Sequence, residues 1–235
     1  MAINDLLFRP AWFLRTELLF GIIAFLITLI ISYYSYRVYK ISENKKYKYL
    51  TVSFFSMSLG FMFKAISDLI IVYFDAFLKT FRFFGFISPT YIYTGSLILY
   101  VFFVLSGFVI LSCLASQVRN KSIILSLLSI AFLCAILVRQ ARSFTFFYFF
   151  AFVLLVVYIV PYMYNNYKDK KNKSSYFVFL SFALLAVSNL LFIALSSRYS
   201  AIIYTGGHFI SLLAYILLLL NLTLVLKKWM KGETS

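Results

Sequence analysis

Three ionisable side chains interrupt long apolar stretches of the sequence, and they are the residues best suited to chemistry. Lys64 and Asp68 stand four positions apart, a spacing at which a lysine and a carboxylate can pair on one face of a helix. His208 lies in a later apolar stretch and shares a helix face with Ser211 and Tyr215. A histidine titrates near neutral pH, so these residues predict a site for a proton or a small polar ligand.

We predict that this site is an outward-facing polar pocket. Its ligand-binding residues are predicted to be Lys64, Asp68, Asn189, His208 and Tyr215, and its mouth to include Glu17, Asp75 and Arg139. At about 1.5 Å per residue, His208 would lie about 9 Å below the outer end of its helix, level with Asp68 and Asp75. Two alternatives are open: the lysine and aspartate could only lock helix packing, and the histidine could only hydrogen-bond to a neighbouring helix.

Seven apolar segments must position these residues. The chain has 235 residues, of which 63% are hydrophobic and 12% charged, and a helix needs about 20 apolar residues to cross a hydrocarbon core of about 30 Å. The segments run from Leu18 to Tyr36, Leu50 to Phe74, Tyr91 to Leu114, Ser122 to Val138, Phe144 to Tyr164, Ser175 to Leu195 and Ile202 to Leu226. Because lipid offers the backbone no hydrogen-bond partners, we predict an all-α, polytopic membrane protein with seven transmembrane helices.

The second segment carries a polar stripe. Its members are spaced three, four or seven residues apart, so that they share one face of a helix. They are Ser53, Ser56, Gly60, Lys64, Ser67, Asp68 and Asp75. Polar side chains at bilayer depth usually face the interior of a helix bundle, so we expect this face to be turned away from lipid.

The distribution of lysine and arginine predicts the orientation. Of the 22 such residues, fourteen follow the first, third, fifth and seventh segments, seven lie at the opposite ends, and Lys64 lies within the second segment. Short cytoplasmic loops retain positive charge. We therefore predict a multi-pass protein of the cell membrane with its amino terminus outside and its carboxyl terminus in the cytoplasm. No signal-peptide cleavage pattern follows the first segment, which is expected to stay in the chain.

Three short signatures occur twice in the same order. The pairs are Tyr34, Tyr36, Tyr39 and Lys40 against Tyr162, Tyr164, Tyr167 and Lys168; Ala65 to Leu69 against Ala186 to Leu190; and Ile92 to Gly95 against Ile203 to Gly206. They predict one domain, 1–235, in which 18–114 form a first triplet of helices, 122–138 a connector and 144–226 a second triplet. Because the connector adds one crossing between the triplets, both triplets run in the same direction and are parallel repeats. The alternative is a chance match in tyrosine-rich sequence.

The sequence lacks the common motifs of catalysis and cofactor binding. HExxH, paired CxxC, Walker A, G-x-S-x-G and dinucleotide fingerprints are all missing, so we predict no enzyme, cofactor or metal. Cys113 and Cys134 lie in apolar runs and are expected to be packing residues. The net charge is +15, and the charged residues flank apolar segments. This placement favours lipid headgroups over nucleic acid as the binding partner. No retinal is expected, because Phe209 to Leu226 contains no lysine.

The predicted architecture resembles the one shared by microbial rhodopsins, SWEET-type sugar transporters and PQ-loop proteins. The features that carry this resemblance are seven helices, an outer amino terminus and a three-plus-one-plus-three repeat. The last helix, from His208 to Leu220, is similar to the closing helix of the membrane sensor regions of histidine kinases. A likeness of fold does not by itself transfer a function.

These observations leave three functions open. The first is a stand-alone sensor or receptor-like protein in which a proton or ligand in the outer pocket changes helix packing. Only nine residues follow the predicted membrane exit, so output through a membrane or cytoplasmic partner protein is expected. The second is a small-solute or proton-coupled transporter that works by rocking of the triplets. The third is a structural subunit or anchor whose polar stripe binds other transmembrane helices.

Overall fold

The structure of the protein is a computed structural model that describes residues 11–73, 89–118, 120–137, 144–197 and 200–230. Within these ranges all regular structure is helical, in agreement with the predicted all-α class. The helices are α1 (Leu14–Ser42), α2 (Lys45–Val72), α3 (Pro89–Ala115), α4 (Lys121–Leu137), α5 (Phe144–Lys170), α6 (Lys173–Ser197) and α7 (Ala201–Met230). A short 3₁₀ turn, Ala11–Phe13, precedes α1.

Six of the helices in the described ranges are long and apolar enough to cross a membrane, by their length and composition. The remaining helix, α4, is apolar but has 17 residues. At about 1.5 Å per residue, each of the six is longer than a hydrocarbon core of about 30 Å. These are the properties of a multi-pass helical membrane protein.

The helices extend beyond the predicted apolar segments at their lysine-rich ends. α1 continues past Tyr36 to Ser42, and α5 continues past Tyr164 to Lys170. Polar residues end a hydrophobic run without ending the helix. The helix stops where the backbone turns left-handed, as it does directly after both of these ends.

The α1–α2 and α5–α6 turns have the same construction. Glu43 and Lys171 adopt φ values of 52° and 47°, and each donates its N–H to the tyrosine carbonyl four residues earlier, at 2.8 Å. The next residue is Asn44 or Asn172, whose side chain accepts a hydrogen bond from a backbone N–H in the first turn of the following helix. Both turns are therefore helical hairpins of one type, 128 positions apart in the sequence.

The helices pack in a closed ring. Contacts run from α1 to α2, α2 to α3, α3 to α5, α5 to α6, α6 to α7, and from α7 back to α1. The helix α4 packs mainly on α3, outside this ring, and buries Ala131 and Ala135. The predicted connector is therefore peripheral, and the other helices surround the centre of the molecule.

The backbones of α2 and α3 approach closely along the polar stripe. Ser53 donates a hydrogen bond to the carbonyl of Gly107 at 2.8 Å, and Ser56 donates to a carbonyl one turn earlier in α3 at 2.7 Å. A Cβ added at Gly60 would lie 2.6 Å from a methyl of Val104, so a side chain there would clash. The described part of the stripe is buried, as expected.

A wide turn interrupts α5. Residues Leu154–Ile159 are π-helical, and the N–H of Val160 donates to the carbonyl of Leu155, five residues earlier. Pro161 follows directly. A proline has no N–H and crowds the carbonyl four residues earlier in a regular α-helix, so the wider turn accommodates it. The sequence predicted an unbroken helix from Phe144 to Tyr164 and did not indicate this π-helical segment.

Candidate functional site

A network of buried charges joins α1 to α2. Lys64 Nζ donates to Glu17 Oε1 at 2.5 Å and to Asp68 Oδ2 at 2.6 Å. The three side chains are 9%, 2% and 1% exposed, in that order. The predicted lysine–aspartate pair is therefore present, and Glu17 extends it to three charges. Because these ions are out of water, each depends on the others for compensation of its charge.

Two side chains of α7 face Glu17. The hydroxyl of Tyr204 donates to Glu17 Oε2 at 2.7 Å. His208 lies one turn later and places its Nε2 3.7 Å from Glu17 Oε1. At that separation a protonated imidazole attracts the carboxylate. Glu17 therefore links α1, α2 and α7 through its two carboxylate oxygens.

Aromatic rings surround the imidazole of His208. The ring centroids of Phe13, Phe192 and Tyr204 lie 5.7, 4.9 and 4.7 Å from the imidazole centroid. Phe13 comes from the 3₁₀ turn before α1, where it is buried while its neighbour Trp12 is exposed. These rings pack against the imidazole in edge-on or tilted arrangements and fix its position beside Glu17.

The charged network lines a cavity at the centre of the ring. The cavity has a volume of about 80 Å³, which is space for a few water molecules or a small ion. We name it the outer cavity, after its predicted side of the membrane. Its polar lining comes from all six ring helices and consists of Glu17, Lys64, Tyr100, Tyr148, Ser188, Asn189, His208, Ser211 and Tyr215.

Charges of both signs meet at the outer cavity. Glu17 and Asp68 are the acidic side chains of the described network and Lys64 is its basic one, with His208 beside them. A proton on the imidazole would add one positive charge to this group.

The structure brings most of the predicted pocket residues together. The predicted residues that line the outer cavity are Lys64, Asn189, His208 and Tyr215. Asp68 reaches the cavity through its bond to Lys64. Glu17 is buried within the network rather than exposed at a mouth, because the first turn of α1 packs against both α2 and α7. Asp75 and Arg139 lie outside the described residues.

Sequence reasoning did not identify Tyr204 or the rings around His208. Tyr204 had a usable signal, because it stands four residues before His208 on the same helix face and within a duplicated signature. Phe13 and Phe192 had no such signal in the sequence, since they approach His208 from two other parts of the chain.

Asn189, a predicted ligand-binding residue, uses its side-chain amide within its own helix. The amide donates a hydrogen bond to a carbonyl of that helix at 2.7 Å.

Metal-binding groups are sparse in the part of the chain that the structure describes. No three His, Cys, Asp or Glu side chains there are grouped as ligands for a metal ion. Cys113 and Cys134 are free thiols, the first buried and the second half-buried.

A second cavity lies at the lysine-rich ends of the ring helices. Its volume is about 280 Å³, and we name it the inner cavity. Along α1, α2 and α3, the residues that fall between the linings of the two cavities include Ile27, Met57 and Leu111. All three are buried. Buried apolar side chains therefore lie between the two linings along α1, α2 and α3, whereas along α6 and α7 the linings are one turn apart.

Comparison of the chain with protein-family models, with curated proteins and with solved structures finds no match. The geometry of the outer cavity is therefore the basis on which a function can be proposed. The resemblance to seven-helix repeat proteins stays a prediction.

Proposed function

We propose that the protein is a seven-helix membrane sensor or receptor-like protein whose outer cavity responds to a proton or a small cation. One observation carries the proposal: two carboxylates share one lysine in a buried network, with His208 beside them. Ionisable groups at bilayer depth are rare, and where they occur they mark functional sites by default. Paired buried charges next to a titratable group are an arrangement expected at such a site.

The position of His208 favours a responsive site over a purely structural one. The single histidine of the chain approaches Glu17 Oε1, the oxygen to which Lys64 also donates. A proton on that imidazole would add a positive charge beside this carboxylate.

Glu17 Oε1 is the atom through which a proton would alter helix packing. Lys64 on α2 already donates to this oxygen, and His208 on α7 approaches the same oxygen. A protonated imidazole would compete with Lys64 for it and draw α7 towards α1. The carboxylate of Glu17 would then have two arrangements, one paired with Lys64 and one paired with His208. Such a bistable element is what a sensor requires. A membrane or cytoplasmic partner protein would then read the changed packing of α1 and α7.

The proposal includes seven crossings of the cell membrane, with the amino terminus outside and the carboxyl terminus in the cytoplasm. The lysine-rich ends of α1, α2, α5 and α6 support this orientation. The 17 residues of α4 cover about 26 Å. Exposed side chains such as Leu125 and Leu133 suit contact of this helix with lipid. The helix α4 is therefore proposed as the additional crossing.

Parallel triplets are also part of the proposal. The equal hairpins after α1 and α5 support them, because the cap residues keep the spacing of the first duplicated signature. Matching burial supports them as well, since Tyr93 and Tyr204 occupy equivalent signature positions and are both buried. The outer cavity would then lie on the axis between two related halves.

The single histidine makes a direct test possible. With ¹⁵N-labelled histidine, NMR of the protein in nanodiscs reports one imidazole, and its protonation is followed between about pH 5 and about pH 8. Spin labels at Leu19→Cys and Ile202→Cys, in a Cys113→Ala/Cys134→Ala background, report the distance between the outer ends of α1 and α7. Both label sites are exposed. We expect the distance to change as the imidazole gains its proton.

Matched variants decide the result. His208→Gln is expected to abolish the change in distance, and Glu17→Gln is expected to reduce the protonated fraction of His208 at a given pH, because it removes the neighbouring charge. Ser126→Ala, which alters an exposed side chain of α4 outside the outer cavity, is expected to behave as the unsubstituted protein. A fixed distance throughout the titration would contradict the sensor proposal.

Transport is the second candidate, and the presence of an outer and an inner cavity favours it. A transporter that rocks its two triplets needs a barrier between an outer and an inner chamber. Proteoliposomes that contain a pH-sensitive dye would show a proton flux that His208→Gln abolishes. A pH-dependent distance without flux supports the sensor. Neither response, together with a stoichiometric partner after purification, would support the anchor.

A further inference from the structure

The inner cavity combines a positively charged rim with an apolar interior. Lys46 and Lys170 line the rim, from the first turn of α2 and the last turn of α5. The interior is lined by buried side chains that include Phe54, Phe182 and Leu218. From Lys46 to Phe54 the lining extends about 12 Å along the helix. Charge and apolar surface are therefore separated along the depth of the cavity.

The lysines of the rim have no carboxylate partner within the described ranges. The described salt bridges all belong to the Glu17 network. Lys46 Nζ instead lies 5.5 Å from the ring centroid of Tyr162, and Lys170 is exposed.

Neutral polar groups near the rim can complete the recognition of an anion. Asn221 accepts a hydrogen bond from Ser174 through its Oδ1. The Nδ2 donor of the same side chain is therefore available to a ligand. Ser175 and Asn166 line the same part of the cavity. Donors and cations outnumber acidic groups here, which is the pattern expected for a carboxylate or phosphate.

We propose that the inner cavity binds an anionic amphiphile, with a carboxylate or phosphate head between Lys46 and Lys170 and an apolar chain directed towards Phe182. A small inorganic anion would leave the apolar interior unfilled, and a neutral hydrocarbon would not use the lysines. The volume of about 280 Å³ lies at the lower limit of small-molecule sites, roughly 300 Å³. It therefore suits one chain. This site does not depend on the response of the outer cavity to protons.

Laurate is a suitable probe, because it joins one carboxylate to one apolar chain. The full chain is reconstituted in nanodiscs of phosphatidylcholine, and binding is measured by thermal unfolding and by native mass spectrometry. We expect laurate to raise the unfolding temperature, and acetate and dodecanol to have little effect. The Lys46→Met/Lys170→Met variant is expected to lose about tenfold in laurate affinity.

A matched control separates the cavity from the general positive surface. Lys48 and Lys168 are exposed, stand two positions from the rim lysines and do not line the cavity. Lys48→Met/Lys168→Met therefore makes the same change in net charge and is expected to keep laurate binding. Val178→Phe narrows the cavity without any change in charge and is expected to weaken binding. Equal losses in both lysine variants would overturn the proposal, as would unchanged binding in Val178→Phe.

Two further measurements distinguish a bilayer lipid from a free fatty acid as the source of the ligand. Phosphatidylglycerol retained by the protein in native mass spectrometry, and lost with Lys46→Met/Lys170→Met, assigns the bilayer as the source. Laurate binding without retained phosphatidylglycerol assigns a free fatty acid. Binding of dodecanol as tightly as laurate, or of neither laurate nor phosphatidylglycerol, would overturn the proposal.

Discussion

The two cavities hold their lysines in opposite ways. At the outer cavity, Lys64 is buried between two carboxylates. At the inner cavity, Lys46 is half-buried, Lys170 is exposed, and neither pairs with a carboxylate in the described part of the chain. A buried ammonium loses its water and needs a counter-ion from the protein. A lysine at a rim keeps its water until a ligand replaces it.

This difference separates stability from binding. Each charge of the outer network is expected to matter for the folded state, because removing one of them leaves the others buried without their partner. The inner rim is expected to contribute little until an anion arrives. Substitutions of lysine by methionine at the two places should therefore have very different effects on the free energy of unfolding.

Lys64→Met is expected to have the largest effect. It leaves Glu17 and Asp68 buried without their cation, and breaking such a network costs about 3 to 5 kcal/mol. Unfolding in mixed micelles measures the loss. Lys64→Met/Glu17→Gln/Asp68→Asn removes all three charges and is expected to recover most of the stability. A single variant as stable as the unsubstituted protein would show that Lys64 does not compensate the carboxylates.

Tyr204→Phe is expected to have the next largest effect. It removes the hydroxyl that donates to Glu17 Oε2 at 2.7 Å, and a hydrogen bond to a charged group contributes about 2 kcal/mol. Tyr91→Phe is the matched control, because Tyr91 is exposed at the start of α3. The same unfolding measurement applies to both. Equal stabilities of the two variants would contradict the placement of Tyr204 in the network.

His208→Gln is expected to change stability at neutral pH by about 1 kcal/mol or less, because it leaves the three charges of the network paired as before. Its effect should appear instead in the pH dependence of the distance between α1 and α7, which should vanish. Unfolding curves at neutral pH, recorded beside the distance measurements, distinguish the two effects. A large loss of stability would indicate that the histidine serves mainly in packing.

Lys46→Met/Lys170→Met is expected to have the smallest effect on stability, within about 0.5 kcal/mol in the absence of an anionic amphiphile. Unfolding is measured in the same micelles after removal of bound lipid. A loss as large as that of Lys64→Met would remove the contrast between the two cavities.

The sequence predicted the helices well because a helix in lipid needs only an apolar run of sufficient length. It also predicted the Lys64–Asp68 pair, since residues four apart on one helix must be neighbours. The partners of Glu17 could not be predicted, because hydropathy does not tell which helices adjoin. The order of packing places α1 between α2 and α7, and only that order brings Lys64, Tyr204 and His208 to one carboxylate.

The wide turn in α5 affects the alignment of α5 with α1. Ala24 and Ala151 are both buried and stand 127 positions apart, whereas Ile31 and Ile159, also buried, stand 128 apart. The spacing changes within Leu154–Ile159, the π-helical segment. A π-helical turn holds one surplus residue compared with an α-helical turn, which accounts for the change in spacing.

That surplus residue determines which side of the later half of α5 faces inward. Each residue turns an α-helix by about 100°. Its deletion would therefore rotate Tyr162, Asn166 and Lys170 away from the inner cavity, which all three now line. The wide turn of α5 therefore places a lysine and an asparagine at the inner cavity without breaking the helix.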